Sequence, residues 1–179
     1  MIALEPDPLD AALAKLKVAI KTLIPKKQQL IADWIVRWGN LIVRENEFNP
    51  EHLPYFKRGD IVYVDLGVNV GSEHADIHYA VVYEHNNSKK NKNIVIIPLS
   101  SIDDEKKVSP VDLYLGDNVI PWTPGIKTIA KPNQIRSISK MRILKPLFVN
   151  DKVARLKAEH LDAIDNKLKA LLFKTDSPK

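Results

Sequence analysis

Glu73, His74, His78, Ser100 and Lys131 are the residue types that a phosphodiester cleavage needs. One group must take a proton from a ribose hydroxyl, and another must protonate the leaving oxygen. Hydroxyls or cations must hold the charge that builds on the phosphorus oxygens. An imidazole suits the proton step, because its unperturbed pKa of about 6.5 lets it work near neutrality. A metal route has less support. His74 and His78 lie four apart, but in a loop that leads into a strand, and that spacing brings side chains together only on a helix. HExxH, GxGxxG and a glycine-rich phosphate loop are all absent, so no metal and no cofactor is expected. Plainer roles stay open for each residue. Glu73 can cap its loop, His78 can be a strand-edge residue, and Ser100 and Ser101 can satisfy backbone groups at a strand end.

The elements that would position these residues begin at Lys57. Ile61–Leu66 is rich in β-branched residues and bounded by Gly59 and Gly67, and Tyr79–Tyr83 is nearly all apolar, so both read as strands. Between them lies a polar loop with Gly71-Ser72-Glu73-His74. Ile94–Ile97 reads as the most buried strand and ends in Pro98-Leu99-Ser100-Ser101. Polar groups therefore collect at strand ends, where a rigid sheet can hold them towards a ligand. Val111–Leu115, Lys127–Ala130 and Gln134–Ile138 are shorter segments punctuated by Pro and Gly. Such spacing predicts a small, strongly curved sheet or barrel. Ser139–Lys145 reads as a basic turn. Asn150 can cap a closing helix whose apolar face carries Val153, Leu156, Leu161, Ile164, Leu168 and Leu171. The loop from Asn86 to Asn93 is polar; its reading is a solvated turn, with a phosphate contact from Lys89, Lys90 or Lys92 as the alternative.

Ahead of these strands, residues 7–45 read as two amphipathic helices. Asp7 caps the first, and Pro8 suits its first position. Leu9, Leu13, Leu16, Ile20 and Leu23 form one face; Leu30, Trp34, Trp38, Leu41 and Ile42 form the other. The two faces are expected to pack as a helical hairpin, with apolar width left for another surface. The segment from Asn46 to Phe56 contains two prolines and little periodicity. It reads as a linker between a 1–50 extension and a domain at 57–175. The chain has no cysteine and a hydrophobic share of 45%, which excludes disulfides, thiolate chemistry and a disordered chain. No apolar run is long enough for a membrane span, and the acidic N-terminus is not a secretory signal; a cytoplasmic location without membrane contact is expected. A net charge of +5 and a pI of about 9.3 fit a polyanionic partner, or simply solubility.

Five ordered motifs resemble the MazF/PemK family of bacterial toxin–antitoxin systems, within the CcdB/Kid-like barrel superfamily. They are Arg58-Gly59-Asp60 before a strand, Gly71-Ser72-Glu73, Ala80-Val81-Val82, Val95–Ser101, and Gln134-Ile135-Arg136-Ser137-Ile138-Ser139-Lys140. The resemblance covers roughly residues 57–173. It implies an α+β fold, a small SH3-like β-barrel with a C-terminal helix, preceded here by the N-terminal helical hairpin. It also implies a homodimer that cleaves single-stranded RNA by 2′-hydroxyl attack, without a metal. Its partner would be an antitoxin protein with an acidic segment, which would suit a basic surface and order on binding.

Carried onto this chain, the resemblance makes His78, Ser100 and Glu73 the catalytic candidates. Gly71, Ser72, His74, Ser101, Lys131 and Gln134 become the RNA-binding candidates. Three positions depart from the family pattern. Its arginine and proline after the Gly-Ser-Glu loop read His78-Tyr79 here. Its threonine in Pro-Leu-Thr reads Ser100, which keeps the hydroxyl. The Arg-x-Asp of the PemK branch reads Lys131-Pro132-Asn133, which keeps a charge but not a bidentate fork. Retained nuclease activity with His78 as the proton carrier is one hypothesis. A barrel that has lost cleavage and sequesters a protein partner is the second. A DNA- or gyrase-directed toxin of the CcdB type is the third.

Overall fold

The structure, a computed structural model, describes residues 7–146, 151 and 153–173. It divides into two compact units, Met1–Arg44 and Glu45–Lys179. The first contains α1 (Pro8–Lys21) and α2 (Pro25–Arg44). The Asp7 carboxylate accepts from the Leu9 N–H at 2.8 Å and so caps α1. At the joint, the Thr22 hydroxyl donates to the Ala19 carbonyl and the Gln28 amide to that of Leu23. Both helices are amphipathic as expected, but neither has a buried residue. Leu13, Leu16 and Trp38 keep 48%, 44% and 50% of their surface exposed, so the expected seam between the two apolar faces does not bury them. None of the described helices is long and apolar enough to cross a membrane.

The second unit is built on seven antiparallel strands: β1 (Ile61–Asp65), β2 (Ile77–Val82), β3 (Asn93–Ile102), β4 (Leu113–Asp117), β5 (Lys127–Ala130), β6 (Arg136–Ser139) and β7 (Ile143–Lys145). They lie in the order β4-β5-β3-β2-β1-β7, with β6 also on β3, and β4 and β7 are not paired to each other, so the sheet is not closed. The long β3 organises it. Ile96–Pro98 pairs with β2, Asn93–Ile96 with β6 and Leu99–Ile102 with β5. A central proline looks misplaced in such a strand, yet the topology accommodates it. The Pro98 carbonyl accepts from the Lys131 N–H at 3.0 Å. The nitrogen on that same edge has no hydrogen to give, and there β5 has ended and β6 has not begun. A 3-10 turn, Pro132–Gln134, fills the gap.

Two apolar clusters lie on opposite faces of the sheet. Val62, Val64, Ala80, Val82, Ile94 and Ile96 belong to one, together with Leu53 and Phe56 from the segment read as linker. Ile61, Val81, Ile97 and Leu99 belong to the other, which α3 (Ala158–Leu172) covers with Ile164 and Leu168. Strand alternation separates the two sets.

Two expectations are corrected here. Ser139–Lys145 is not only a turn: after a 3-10 turn at Lys140–Arg142 it forms β7, with Ile143 buried against β1. The closing helix starts at Ala158, so Val153 and Leu156 precede it. Leu156 donates its N–H to Gly59 and Ala154 accepts from Ile61, so this stretch runs along the start of β1 instead. Asn150, proposed as the cap, lies outside the described residues. Arg58, stacked 4.1 Å over the Tyr83 ring and bonded to Asp165, ties α3 to the sheet. Arg155 pairs with buried Asp60 at 2.6 Å.

Candidate functional site

β1 and β2 form a hairpin in register from Ile61↔Val81 to Asp65↔Ile77. The loop between them closes on itself: Leu66 N–H donates to Asp76 and Asp76 N–H to Gly67. The Asp65 carboxylate accepts from Gly67 N–H at 2.9 Å, and the Asn69 amide donates to the His74 carbonyl at 2.8 Å. The loop is therefore a fixed platform, not a slack connection. Gly71, at φ +62, Ser72 and Glu73 are exposed on it.

From this platform His74 turns back onto the sheet. Its ring meets that of His78 with centroids 4.1 Å apart and planes tilted by 44°. Gln134, at the end of the 3-10 turn, holds the loop from the other side. Its Oε1 accepts from His74 N–H at 3.2 Å and from an Arg136 guanidinium N–H at 2.8 Å. Lys131, where β5 ends, reaches buried Asp112 at 3.0 Å.

This setting keeps both imidazoles neutral at pH 7. Burial lowers the His74 pKa to about 4, and the neighbouring His78, Lys131 and Arg136 charges push the same way. Burial also lowers His78; Asp76 opposes the shift, while Lys131 adds to it. The buried His74 Nε2 has no hydrogen-bond partner among the described residues. Among those residues no group of three His, Cys, Asp or Glu is arranged to hold a metal ion.

The β2–β3 ladder ends at Ala80 and Pro98. Beyond it the two strands continue past each other, and a cleft of ≈ 260 Å³ lies there. Its walls include His78 and Tyr79 from β2 and Ser100 and Ser101 from β3. Ser100 is half-buried opposite Ile129, whereas Ser101 is exposed opposite Thr128.

The candidates thus fall into groups. His74, His78, Lys131 and Gln134 cluster through direct contact or charge. Ser100 and Ser101 share the cleft with His78. Glu73, Gly71 and Ser72 stay on the exposed side of the loop, and Glu73 is not drawn into the histidine pair. Arg136 is a functional candidate that residue types alone did not single out. Its signal was present in the Gln134-x-Arg136 spacing, since alternate residues leaving a turn can meet. Asp112 was also missed, because only the β4–β5 pairing brings it to Lys131.

A neutral imidazole that can accept a proton, a hydroxyl on the same cleft and two cations nearby form a set able to deprotonate a hydroxyl beside a bound phosphate. Residues 57–172 match a family model described as PemK-like, MazF-like toxin of type II toxin-antitoxin system. Among solved structures, the chain is similar to MazF (Form-I) from Deinococcus radiodurans, at 18% identity and a TM-score of 0.49, with 67% of this chain and 96% of that one covered. It is also similar to MazE-MazF (Form-II) from the same organism, at 18% identity and a TM-score of 0.45, covering 65% and 95% respectively. No curated protein matches. The family match spans most of the second unit and well over half the chain.

Proposed function

The chain belongs to the PemK-like, MazF-like family of toxins of type II toxin–antitoxin systems, and we propose that it is an endoribonuclease that cleaves single-stranded RNA by 2′-hydroxyl attack. The observation that carries this reading is the position of His78. It is poised neutral and shares one cleft with the Ser100 hydroxyl. His78 takes the proton of the ribose 2′-hydroxyl, whose oxygen then attacks the adjacent phosphorus. Ser100, Lys131 and Arg136 donate to the phosphoryl oxygens as charge builds there. The 5′ oxygen leaves and takes a proton from water. The products are a 2′,3′-cyclic phosphate and a 5′-hydroxyl. Glu73 contacts the RNA from the loop rather than carrying the proton, with Gly71, Ser72 and His74 beside it.

The 57–175 region is the toxin domain in this reading, and residues 1–50 are an added helical extension. The active form is a homodimer acting in the cytoplasm. An antitoxin with an acidic segment covers the same cleft-bearing face; the net charge of +5 suits such a partner.

The test is incubation of purified protein with mixed single-stranded RNA in EDTA. Cleavage that is lost in both His78→Ala and Ser100→Ala supports the assignment. Intact RNA, or cleavage untouched by either substitution, overturns it. Intact RNA together with tight binding of a protein partner would identify a binding-only member of the family.

A further inference from the structure

Tyr63 and Tyr79 face each other across β1 and β2, with ring centroids 4.8 Å apart. Trp122, from the β4–β5 connection, extends the row: its ring lies 6.1 Å from Tyr79, with the planes only 17° apart. Three aromatics from three separate stretches thus line up, and the outermost is left 51% exposed. Tyr63 and Tyr79 line a cleft, and Trp122 stands beside it at the open end of the row; burying so large an apolar ring is ordinarily favourable, so a half-open tryptophan there is suited to a flat ligand.

The connection that carries Trp122 is set in place. Gly125 N–H donates to the Asn118 side chain at 2.6 Å, the Thr123 hydroxyl donates to the Ile120 carbonyl at 3.2 Å, and Ile120 is buried. The cleft next to Tyr79 is the one that contains His78 and Ser100. Its ≈ 260 Å³ falls just below the range of roughly 300–1,000 Å³ that drug-sized ligands occupy, which suits a single ring system better than a cofactor. Thr128 lies on its wall, is 1% exposed, and its hydroxyl has no hydrogen-bond partner among the described residues. A buried hydroxyl without a partner is costly, and valine would fill the same space without that cost.

We propose that the Tyr63–Tyr79–Trp122 row and the adjoining cleft form a nucleobase subsite. One unpaired base of the RNA stacks on the open side of Trp122, which Tyr79 backs, and the Thr128 hydroxyl of the adjoining cleft reads its edge. The inference rests on the endoribonuclease reading, because the cleft contains the residues assigned to the chemistry. Stacking tolerates every base, whereas a hydroxyl that can donate or accept discriminates among their edges. The subsite therefore contributes affinity through the rings and preference through Thr128.

The experiment measures binding of short, cleavage-resistant 2′-O-methyl RNA by fluorescence anisotropy, using a set that varies one position through all four bases. The proteins are the full chain, Trp122→Ala, Trp122→Phe and Thr128→Val. The expected result is about tenfold weaker binding or more for Trp122→Ala, most of it recovered in Trp122→Phe, since another aromatic ring keeps a face for the base to stack on. Thr128→Val is expected to narrow the spread of affinities among the four bases while leaving thermal stability equal or higher. Unchanged affinity and preference in Trp122→Ala and Thr128→Val, with wild-type cleavage intact, would overturn the subsite alone. Trp122-dependent RNA binding by a wild-type protein that cuts no RNA would support the subsite and overturn the nuclease reading. Binding of an acidic peptide, but no RNA, at Trp122 would overturn the nucleobase assignment.

Discussion

The His74 and His78 rings meet with centroids 4.1 Å apart and planes tilted by 44°, although one belongs to a loop and the other to β2. Asn69 ties the loop to itself at the His74 carbonyl, and Gln134 holds the His74 N–H from outside the loop. The ring contact places a neutral, partly desolvated ring against the proposed proton carrier, with Lys131 close enough to bias both against protonation.

A pH dependence of stability follows. Both histidines have folded-state pKa values below 6.5, His74 at about 4. Between those limits the unfolded chain binds more protons than the folded one, so stability is complete above about 6.5 and is lost as pH falls towards about 4. With solvent screening allowed for, the loss is on the order of 1–2 kcal/mol. Urea denaturation at pH 7 and pH 4.5 measures it. His74→Phe, which keeps an aromatic ring against His78 but does not titrate, is expected to flatten the acid limb; an unchanged slope would contradict the assignment to His74.

Gln134→Ala removes one acceptor from two donors, the His74 N–H and Arg136. A stability loss of about 1–2 kcal/mol is expected. Amide exchange at His74 should accelerate more than exchange in β3. If the loop amides stay as protected as in wild type, Gln134 is not what fastens the platform.

Lys131→Met leaves the buried Asp112 carboxylate without its ion partner. Roughly 1–3 kcal/mol of stability should be lost, since an unpaired buried charge is costly. Adding Asp112→Asn should return part of it. A denaturation double-mutant cycle with no coupling energy would contradict a stabilising role for the pair.

Gly59 sits at φ +91, and a Cβ there would meet Arg155 Cγ and Leu161 Cδ1 at 3.1 Å. Gly59→Ala is therefore expected to lower stability by about 1–3 kcal/mol, through backbone strain and by displacing the 153–157 stretch from β1. A melting temperature within a degree or so of wild type would contradict this; the expected loss corresponds to several degrees.

Local pattern carried much of this structure and topology carried the rest. β1 and β5 are legible because β-branched runs bounded by glycine or proline have few other uses. β3 continues through Pro98 to Ile102, beyond the apolar run, because two different strands share its far edge. The 153–157 stretch has the same apolar residues a helix would use, and its pairing with Gly59–Ile61 decides against one. At the site, the chemistry-bearing types His78, Ser100 and Lys131 are visible in the chain. The contact of His74 with His78, the ion pair to Asp112 and the aromatic row ending in Trp122 are not. The first depends on Gln134 fastening the loop from sixty residues away, and the other two on strand pairing that brings distant stretches together; a chain read in order has no signal for either.

The central claim is that His78 removes the 2′-hydroxyl proton during RNA cleavage, and one measurement bears on it most directly. Single-turnover cleavage of a single-stranded RNA oligonucleotide is followed from pH 5 to 8 in EDTA, with wild type, with His78→Ala, and with a substrate carrying one 2′-deoxy residue at the cut position. The expected wild-type rate falls as pH drops through a midpoint below 6.5, because His78 is held below its ordinary value. His78→Ala should lose about 10²–10⁴-fold in rate, together with that pH limb, and the 2′-deoxy substrate should stay intact. Cleavage of the deoxy position, or a His78→Ala enzyme with wild-type rate and profile, would contradict the account.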